Sequence, residues 1–70
     1  DVYITIEPSE DNDAVCICGC VAGNAVVDEF YEYNEDEDCE YNISVFLETY
    51  ARVFGIAAEY YMNNYGFKLE

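Results

Sequence analysis

The dipeptide Gly23-Asn24 separates two runs of residues of similar length, and the second run is rich in β-branched and aromatic side chains. Residues 14–22 are apolar on both alternating faces, which is typical of a strand in the middle of a sheet. Two runs joined by a two-residue loop of this kind predict a β-hairpin. A short helix over residues 25–33, capped by Asn24, is the alternative, and the β-branched content favours the hairpin.

The hairpin predicts a register in which apolar residues meet across most of the ladder. The predicted pairs are Ile17 with Phe30, Val21 with Val26, Cys20 with Val27 and Cys16 with Tyr31. Another strand is predicted over residues 2–7, because "VYITIE" alternates and is β-branched. Pro8 ends that strand, and the polar residues 9–13 form a loop.

Ser44 is predicted to cap an amphipathic helix that runs to about Asn63. Its apolar stripe consists of Phe46, Tyr50, Val53, Phe54, Ala57 and Tyr61, at helical spacing. Residues 67–70 could add a short final strand. The chain is therefore predicted to be a single α+β domain over residues 1–70. A small antiparallel β-sheet of three, possibly four strands would have one amphipathic helix packed on one face.

Three of the four cysteines alternate in "VCICGCV", and Cys39 stands apart. Residues at i, i+2 and i+4 of a strand share a face, so Cys16, Cys18 and Cys20 do not converge on a tetrahedral metal. Free thiols that pack as small hydrophobic groups are favoured. A disulfide between Cys39 and one strand cysteine, or a metal site, are the alternatives. Free thiols indicate a reducing cytoplasm, and no cofactor or metal is predicted.

The charge of the chain is extreme, with sixteen acidic against two basic residues and a net charge of −14. Solubility alone needs a net charge of only about 2–8 in magnitude. Repulsion makes nucleic acid and anionic membrane poor direct partners. Aromatic residues make up 17% of the chain, which argues against a disordered acidic tail. The expected partner is therefore a basic protein surface or a cation.

Enzymatic chemistry is not indicated by the sequence. The chain has no histidine, so no serine or cysteine has an imidazole to activate it. Residues 34–45 resemble a calcium-binding EF-hand loop in part, because carboxylates and amides stand at odd positions of the loop. An EF-hand needs glycine at the sixth position and glutamate at the twelfth, where this chain has Cys39 and Val45. The chain is therefore predicted not to be an enzyme, and weak cation binding stays an alternative.

Residues 28–40 contain eight carboxylates and no basic residue, which is more than protection of a sheet edge requires. Carboxylates two residues apart on a strand stand roughly 6.6 Å apart. That is of the same order as the spacing of successive phosphates on one DNA strand. Carboxylates held on a folded scaffold can therefore imitate a row of phosphates, and tyrosines between them offer flat faces to guanidinium groups.

The predicted partner-binding residues lie between residues 28 and 41. They are Asp28, Glu29, Glu32, Glu35, Asp36, Glu37, Asp38, Glu40, Tyr33 and Tyr41. A secondary acidic patch is predicted at Glu7, Glu10, Asp11 and Asp13. Tyr31 is assigned equally to binding or to the core, and Tyr50 and Tyr61 are assigned to the core.

The stretch "DEFYEYNEDEDCEY" on a compact scaffold that contains cysteine and tyrosine resembles the small acidic inhibitors of bacteriophages. That group includes anti-CRISPR proteins and other DNA mimics. The resemblance is one of type and brings no shared motif. It implies a non-enzymatic inhibitor in the cytoplasm of a bacterial host cell, where it occupies the basic nucleic-acid site of a nuclease or Cas effector. The alternative is a small interaction module, such as a homodimer that pairs through Ile56 and Val45.

Overall fold

The computed structural model describes residues 1–65, which form a three-stranded sheet with one helix packed against it. The elements are β1 (Val2–Pro8), β2 (Ala14–Val21), β3 (Asn24–Glu32) and α1 (Cys39–Tyr65). The sheet is antiparallel in the order β1-β2-β3, so the cysteine-rich strand is central as expected. The α+β fold is confirmed. The possible fourth strand over residues 67–70 lies outside the described residues.

Ala22 and Gly23 form the turn between β2 and β3, and their φ values are 52° and 83°. Positive φ at both central positions is the conformation of a type I′ turn, whose twist matches that of the flanking strands. The loop therefore lies one residue earlier than the predicted Gly23-Asn24, because Asn24 already pairs with Val21. The hairpin is confirmed over the short-helix alternative.

The predicted register of the hairpin is wrong. The turn begins one residue earlier than predicted. A β-bulge between Gly19 and Cys20 then offsets part of the resulting change in register. The observed pairs beyond the bulge include Cys16 with Phe30, Ile17 with Glu29 and Cys18 with Asp28. Phe30 consequently shares the face of the three alternating cysteines. The helix does not cover that face, and the Phe30 side chain is 71% exposed.

The core lies between α1 and the other face of the sheet, where Ile17 and Val53 are fully buried. Tyr31 also belongs to the core, and its ring meets that of Phe46 edge to face with centroids 5.5 Å apart. Gly19 lets the helix approach closely: a Cβ atom there would stand 2.8 Å from the Ala57 Cβ. Of the two readings of Tyr31, core packing is the correct one.

The helix begins six residues earlier than predicted, at Cys39 instead of directly after Ser44. The Asp38 carboxylate accepts a hydrogen bond of 3.0 Å from the backbone N–H of Glu40 and so caps the first turn. Acidic residues also suit this end of a helix, where the backbone dipole is positive. Among the described residues, no helix combines the length and the apolarity that a membrane crossing requires.

The buried stripe of the helix is rotated relative to the prediction. Asn42 and Thr49 are buried together with Val53 and Ala57, because their polar side chains are satisfied by hydrogen bonds to backbone carbonyls. Tyr50 and Phe54, assigned to the core stripe from their spacing, are instead 38% and 44% exposed. Phe46 packs against the core as predicted, and Tyr61 is half-buried.

Candidate functional site

The two acidic segments of the sequence meet at one end of the sheet. The β1–β2 loop (residues 9–13) and the β3–α1 loop (residues 33–38) are adjacent, and the Tyr33 N–H donates a 2.8 Å hydrogen bond to the Asp13 carbonyl. We call this region the acidic end. Its ten carboxylates, of sixteen in the chain, are Glu7, Glu10, Asp11, Asp13, Glu32, Glu35, Asp36, Glu37, Asp38 and Glu40. Most of the predicted partner-binding carboxylates and the whole secondary acidic patch therefore lie at the same end of the sheet.

Two predicted site residues lie away from the acidic end. Glu29 is in the middle of β3 and accepts hydrogen bonds of 2.9 and 2.5 Å from the Arg52 guanidinium, which neutralises its charge locally. This is the one ion pair within residues 1–65. Asp28 lies on the open face of the sheet, opposite Cys18. Neither residue contributes a free carboxylate to the acidic end.

The first loop is held by its own side chains. The Ser9 hydroxyl donates to the Asp13 carboxylate at 2.9 Å and accepts from the Ala14 N–H at 3.2 Å. The Asn12 N–H donates to the Ser9 carbonyl at 3.1 Å, and Asn12 adopts a left-handed conformation with φ of 59°. Asparagine tolerates that conformation better than most residues. The loop is therefore an ordered turn that sets the position of Asp13.

The second loop is organised by Asn34. Its side-chain oxygen accepts from the Asp36 N–H at 3.0 Å, and its carbonyl accepts from the Glu37 N–H at 3.1 Å. The same carbonyl also accepts from the Asn42 side-chain amide at 3.0 Å, which ties the loop to the helix. Because these bonds fix the backbone, the exposed carboxylates of residues 35–37 are held on an ordered loop.

The Asn42–Tyr31 contact anchors the second loop to the core. The buried Tyr31 hydroxyl donates a hydrogen bond to the Asn42 carbonyl. Burial, and to a smaller extent the nearby Glu37 carboxylate, raise the pKa of Tyr31 above its ordinary value, so the donor stays protonated. Asn34 and Asn42 are positioning residues that the sequence analysis missed. An asparagine just before an acidic run is a recognised turn signal and could have indicated the first of them.

An apolar pocket of 290 Å³ opens beside the acidic end. Its lining includes Pro8, Val15, Tyr33, Ile43 and Phe46. The predicted binding residue Tyr33 is half-exposed and lies at the rim of this pocket. The pocket was not predicted, because its lining comes from β1, β2, β3 and the helix together with the adjoining loops. Together these elements place an apolar pocket next to the acidic end.

The second predicted tyrosine, Tyr41, is exposed on the β3 side of the helix. It lines a more polar depression together with Phe30, Glu37 and Val45. The two predicted tyrosines therefore flank the acidic loop on opposite sides of the helix start.

The four cysteines carry free thiols. Cys16, Cys18 and Cys20 line the open face of the sheet, with 3.5 Å between the sulfur atoms of Cys18 and Cys20, and Cys39 is exposed at the helix start. Burial is the main cause that raises the pKa values of Cys16 and Cys18, which favours the unreactive thiol form. Within residues 1–65, no group of three or more acidic, cysteine or histidine side chains has the geometry to hold a metal ion.

Comparisons of the chain with protein-family models, curated proteins and solved structures found no match. Function is therefore inferred from the chemistry of the acidic end. Ordered carboxylates around an apolar pocket can bind cationic groups and one apolar side chain of a partner.

Proposed function

We propose that this chain is a non-enzymatic inhibitor whose acidic end occupies the basic nucleic-acid-binding site of a host protein. The observation that carries the proposal is that ten carboxylates lie together at one end of the sheet, seven of them on two hydrogen-bonded loops. In its most specific form, the protein is an anti-CRISPR that blocks a Cas effector in the cytoplasm of a bacterial host. That form follows from the resemblance in type to phage DNA mimics.

The physical basis is the competition between carboxylates and phosphates for arginine and lysine. Proteins that bind nucleic acid draw much of their affinity from such phosphate contacts. In Cas effectors, arginine side chains also read the short duplex motif next to the target. Ordered loops avoid part of the entropy cost of binding, because their carboxylates are held in place before the partner arrives. Tyr33 and Tyr41 add surfaces on which guanidinium groups can stack.

The pocket favours a protein partner over a bare cation. Its volume of 290 Å³ lies at the lower limit of small-ligand sites, which span about 300–1,000 Å³. It is lined largely by apolar and aromatic side chains and suits one apolar side chain of the partner, with basic residues on either side. Such a buried apolar anchor surrounded by polar contacts is the usual form of an interface hot spot.

The proposal is tested by affinity capture from a bacterial lysate, followed by competition with duplex DNA. Proteins that bind the immobilised chain should be nucleic-acid-binding proteins and should be released by added DNA. The captured protein should also bind at least about tenfold more weakly when salt rises from roughly 50 to 200 mM. Capture that is insensitive to both DNA and salt would contradict an electrostatic mimic.

A pair of charge-matched variants separates position from total charge. The double substitution Glu35→Lys and Glu37→Lys acts at the acidic end, whereas Glu48→Lys and Glu59→Lys make the same charge change on exposed helix positions. The first variant should lose capture, and the second should keep most of it. Equal losses would show that only net charge matters and that the acidic end is not the site.

A further inference from the structure

The two edges of the sheet differ in how they are protected. The β3 edge carries Asp28, Glu29 and Glu32, and charged side chains on an edge strand discourage pairing with another chain. In contrast, residues 2–6 of β1 contain no charge, and Glu7 and Pro8 lie at the very end of the strand. Within residues 1–65, no strand pairs with the outer edge of β1. In the described part of the chain, the backbone donors and acceptors along this edge are therefore unpaired by any strand.

An exposed apolar stripe of the helix runs along the same side of the molecule. It consists of Ile43, Leu47, Tyr50 and Phe54, which are between 38% and 59% exposed. At 100° per residue, these positions lie on the side of the helix opposite Arg52, which reaches across to Glu29 on β3. Ile43 lines the same pocket as Pro8 at the end of β1. The stripe thus lies above the β1 edge.

We infer that two copies of this chain associate through their β1 edges. The strands would pair antiparallel about a two-fold axis normal to the sheet and form one six-stranded sheet with both helices on the same face. Helices above the central strands would stand three strand spacings apart, roughly 14 Å. This exceeds the usual interaxial distance of about 8–10 Å, so large side chains are needed to fill the gap. Leu47, Tyr50 and Phe54 supply such side chains.

The charge distribution fits a second copy in this orientation. The acidic end adjoins Pro8, where β1 finishes. Antiparallel pairing places the two acidic ends at opposite ends of the dimer, which keeps their repulsion small beyond about one Debye length of 8–10 Å. A parallel arrangement would bring the two sets of carboxylates together and is disfavoured.

The apolar area is sufficient for a specific interface. The four stripe residues and the half-exposed Ile6 of β1 leave each copy with about 500 Å² of accessible apolar surface, judged from side-chain size and exposure. Two copies together reach the roughly 1,000 Å² that a specific interface requires. This interface differs from one built on Val45, because that side chain packs against the core.

Sedimentation equilibrium of the full chain tests the inference. The chain has a mass of 8.0 kDa, and a dimer of about twice that mass is expected at concentrations near 100 μM, well above a dissociation constant of about 1–10 μM. Ile6→Lys and Leu47→Lys should each weaken the dimer at least about tenfold. Lysine lowers the net negative charge, so the loss cannot come from added repulsion. Circular dichroism checks that both variants fold.

Phe30→Lys is the matched control, because Phe30 is the most exposed large apolar residue and lies on the open face, away from β1. It should leave the dimer intact. Backbone amides of β1 should also exchange more slowly with solvent as protein concentration rises. A monomer at about 100 μM, a dissociation constant that neither lysine substitution raises, or one that Phe30→Lys raises as much would overturn the inference.

Discussion

The two ends of the sheet are closed in different ways. At one end, two residues, Ala22 and Gly23, turn the chain through their backbone conformation, with one long hydrogen bond of 3.5 Å from the Asn24 side chain to the Ala22 carbonyl. At the acidic end, two longer loops are tied together by side-chain and backbone hydrogen bonds and are anchored to the core through Asn42. Carboxylates that crowd together repel each other and would spread apart on a flexible loop. The bonding network is therefore what turns a run of like charges into a fixed surface.

The bonding network at the acidic end requires a polar side chain in the core. A buried polar side chain is tolerated only when it is hydrogen-bonded. Asn42 is such a side chain, because its amide donates to the Asn34 backbone carbonyl. The backbone carbonyl of Asn42 accepts from the Tyr31 hydroxyl. The turn end needs no buried polar residue. The changes in stability caused by substitutions at the two ends should therefore differ in size and in sign.

The largest effect is expected for Asn42→Leu. The substitution removes the donor to the Asn34 carbonyl, and the free energy of unfolding should fall by about 2–3 kcal/mol in urea denaturation. Amide exchange at Glu37, whose N–H bonds the same carbonyl, should accelerate. Asn24→Leu is the matched control at the turn end, where the asparagine is exposed, and should change stability by less than about 0.5 kcal/mol. Equal losses of stability in the two variants would contradict the expected difference between the two ends.

The next effect is a loss of stability at alkaline pH. Burial raises the pKa of Tyr31 in the folded state. Its contribution is therefore complete below the ordinary tyrosine value of about 10 and is lost as the pH rises through the folded-state pKa. The half-buried thiols of Cys16 and Cys18 act in the same direction from about pH 9, since their pKa values are also raised. Above about pH 10, the free energy of unfolding measured by urea denaturation should fall more in wild type than in Tyr31→Phe. Parallel profiles would contradict this role for Tyr31.

The overall architecture could be predicted from patterns that depend on local sequence. Alternation of residue types predicted β1. Two runs of residues separated by a two-residue loop at Gly23 predicted the hairpin of β2 and β3. The register could not be predicted, because the hydrophobic pattern does not show the register shift between Gly19 and Cys20. The helix start was misplaced because Asp38 and Ser44 are both good capping residues. Only hydrogen bonding to the Glu40 N–H distinguishes them.

The candidate site divides in the same way. Composition was enough to find its carboxylates, since charge is visible in any chain. Their union into one site depends on topology, because antiparallel pairing brings residues 9–13 beside residues 33–38. Glu29 could not be separated from its neighbours by sequence, as its partner Arg52 lies on the distant helix. The pocket likewise requires three strands and the helix to be in place.

A smaller effect distinguishes the two roles of Asp38, which caps the helix and also adds charge to the acidic end. Asp38→Ala should lower stability by about 1 kcal/mol, because the cap is lost. Asp38→Asn keeps a capping oxygen and removes a charge, so its stability should match wild type within about 0.5 kcal/mol. Thermal denaturation at low salt measures both. A loss in Asp38→Asn as large as that in Asp38→Ala would mean that charge, and not capping, is the main contribution.

The smallest change is a gain at the turn end from Ala22→Asn. Ala22 has a positive φ, which alanine adopts at a cost, whereas Asn-Gly is the preferred pair for a type I′ turn. Stability should rise by about 0.5–1 kcal/mol. Ala25→Asn, in the neighbouring strand, should not stabilise, because asparagine is disfavoured in strands. Since the strands separate this turn from the acidic end, Ala22→Asn should leave capture of the basic partner unchanged. Altered capture would show that the two ends are coupled through the sheet.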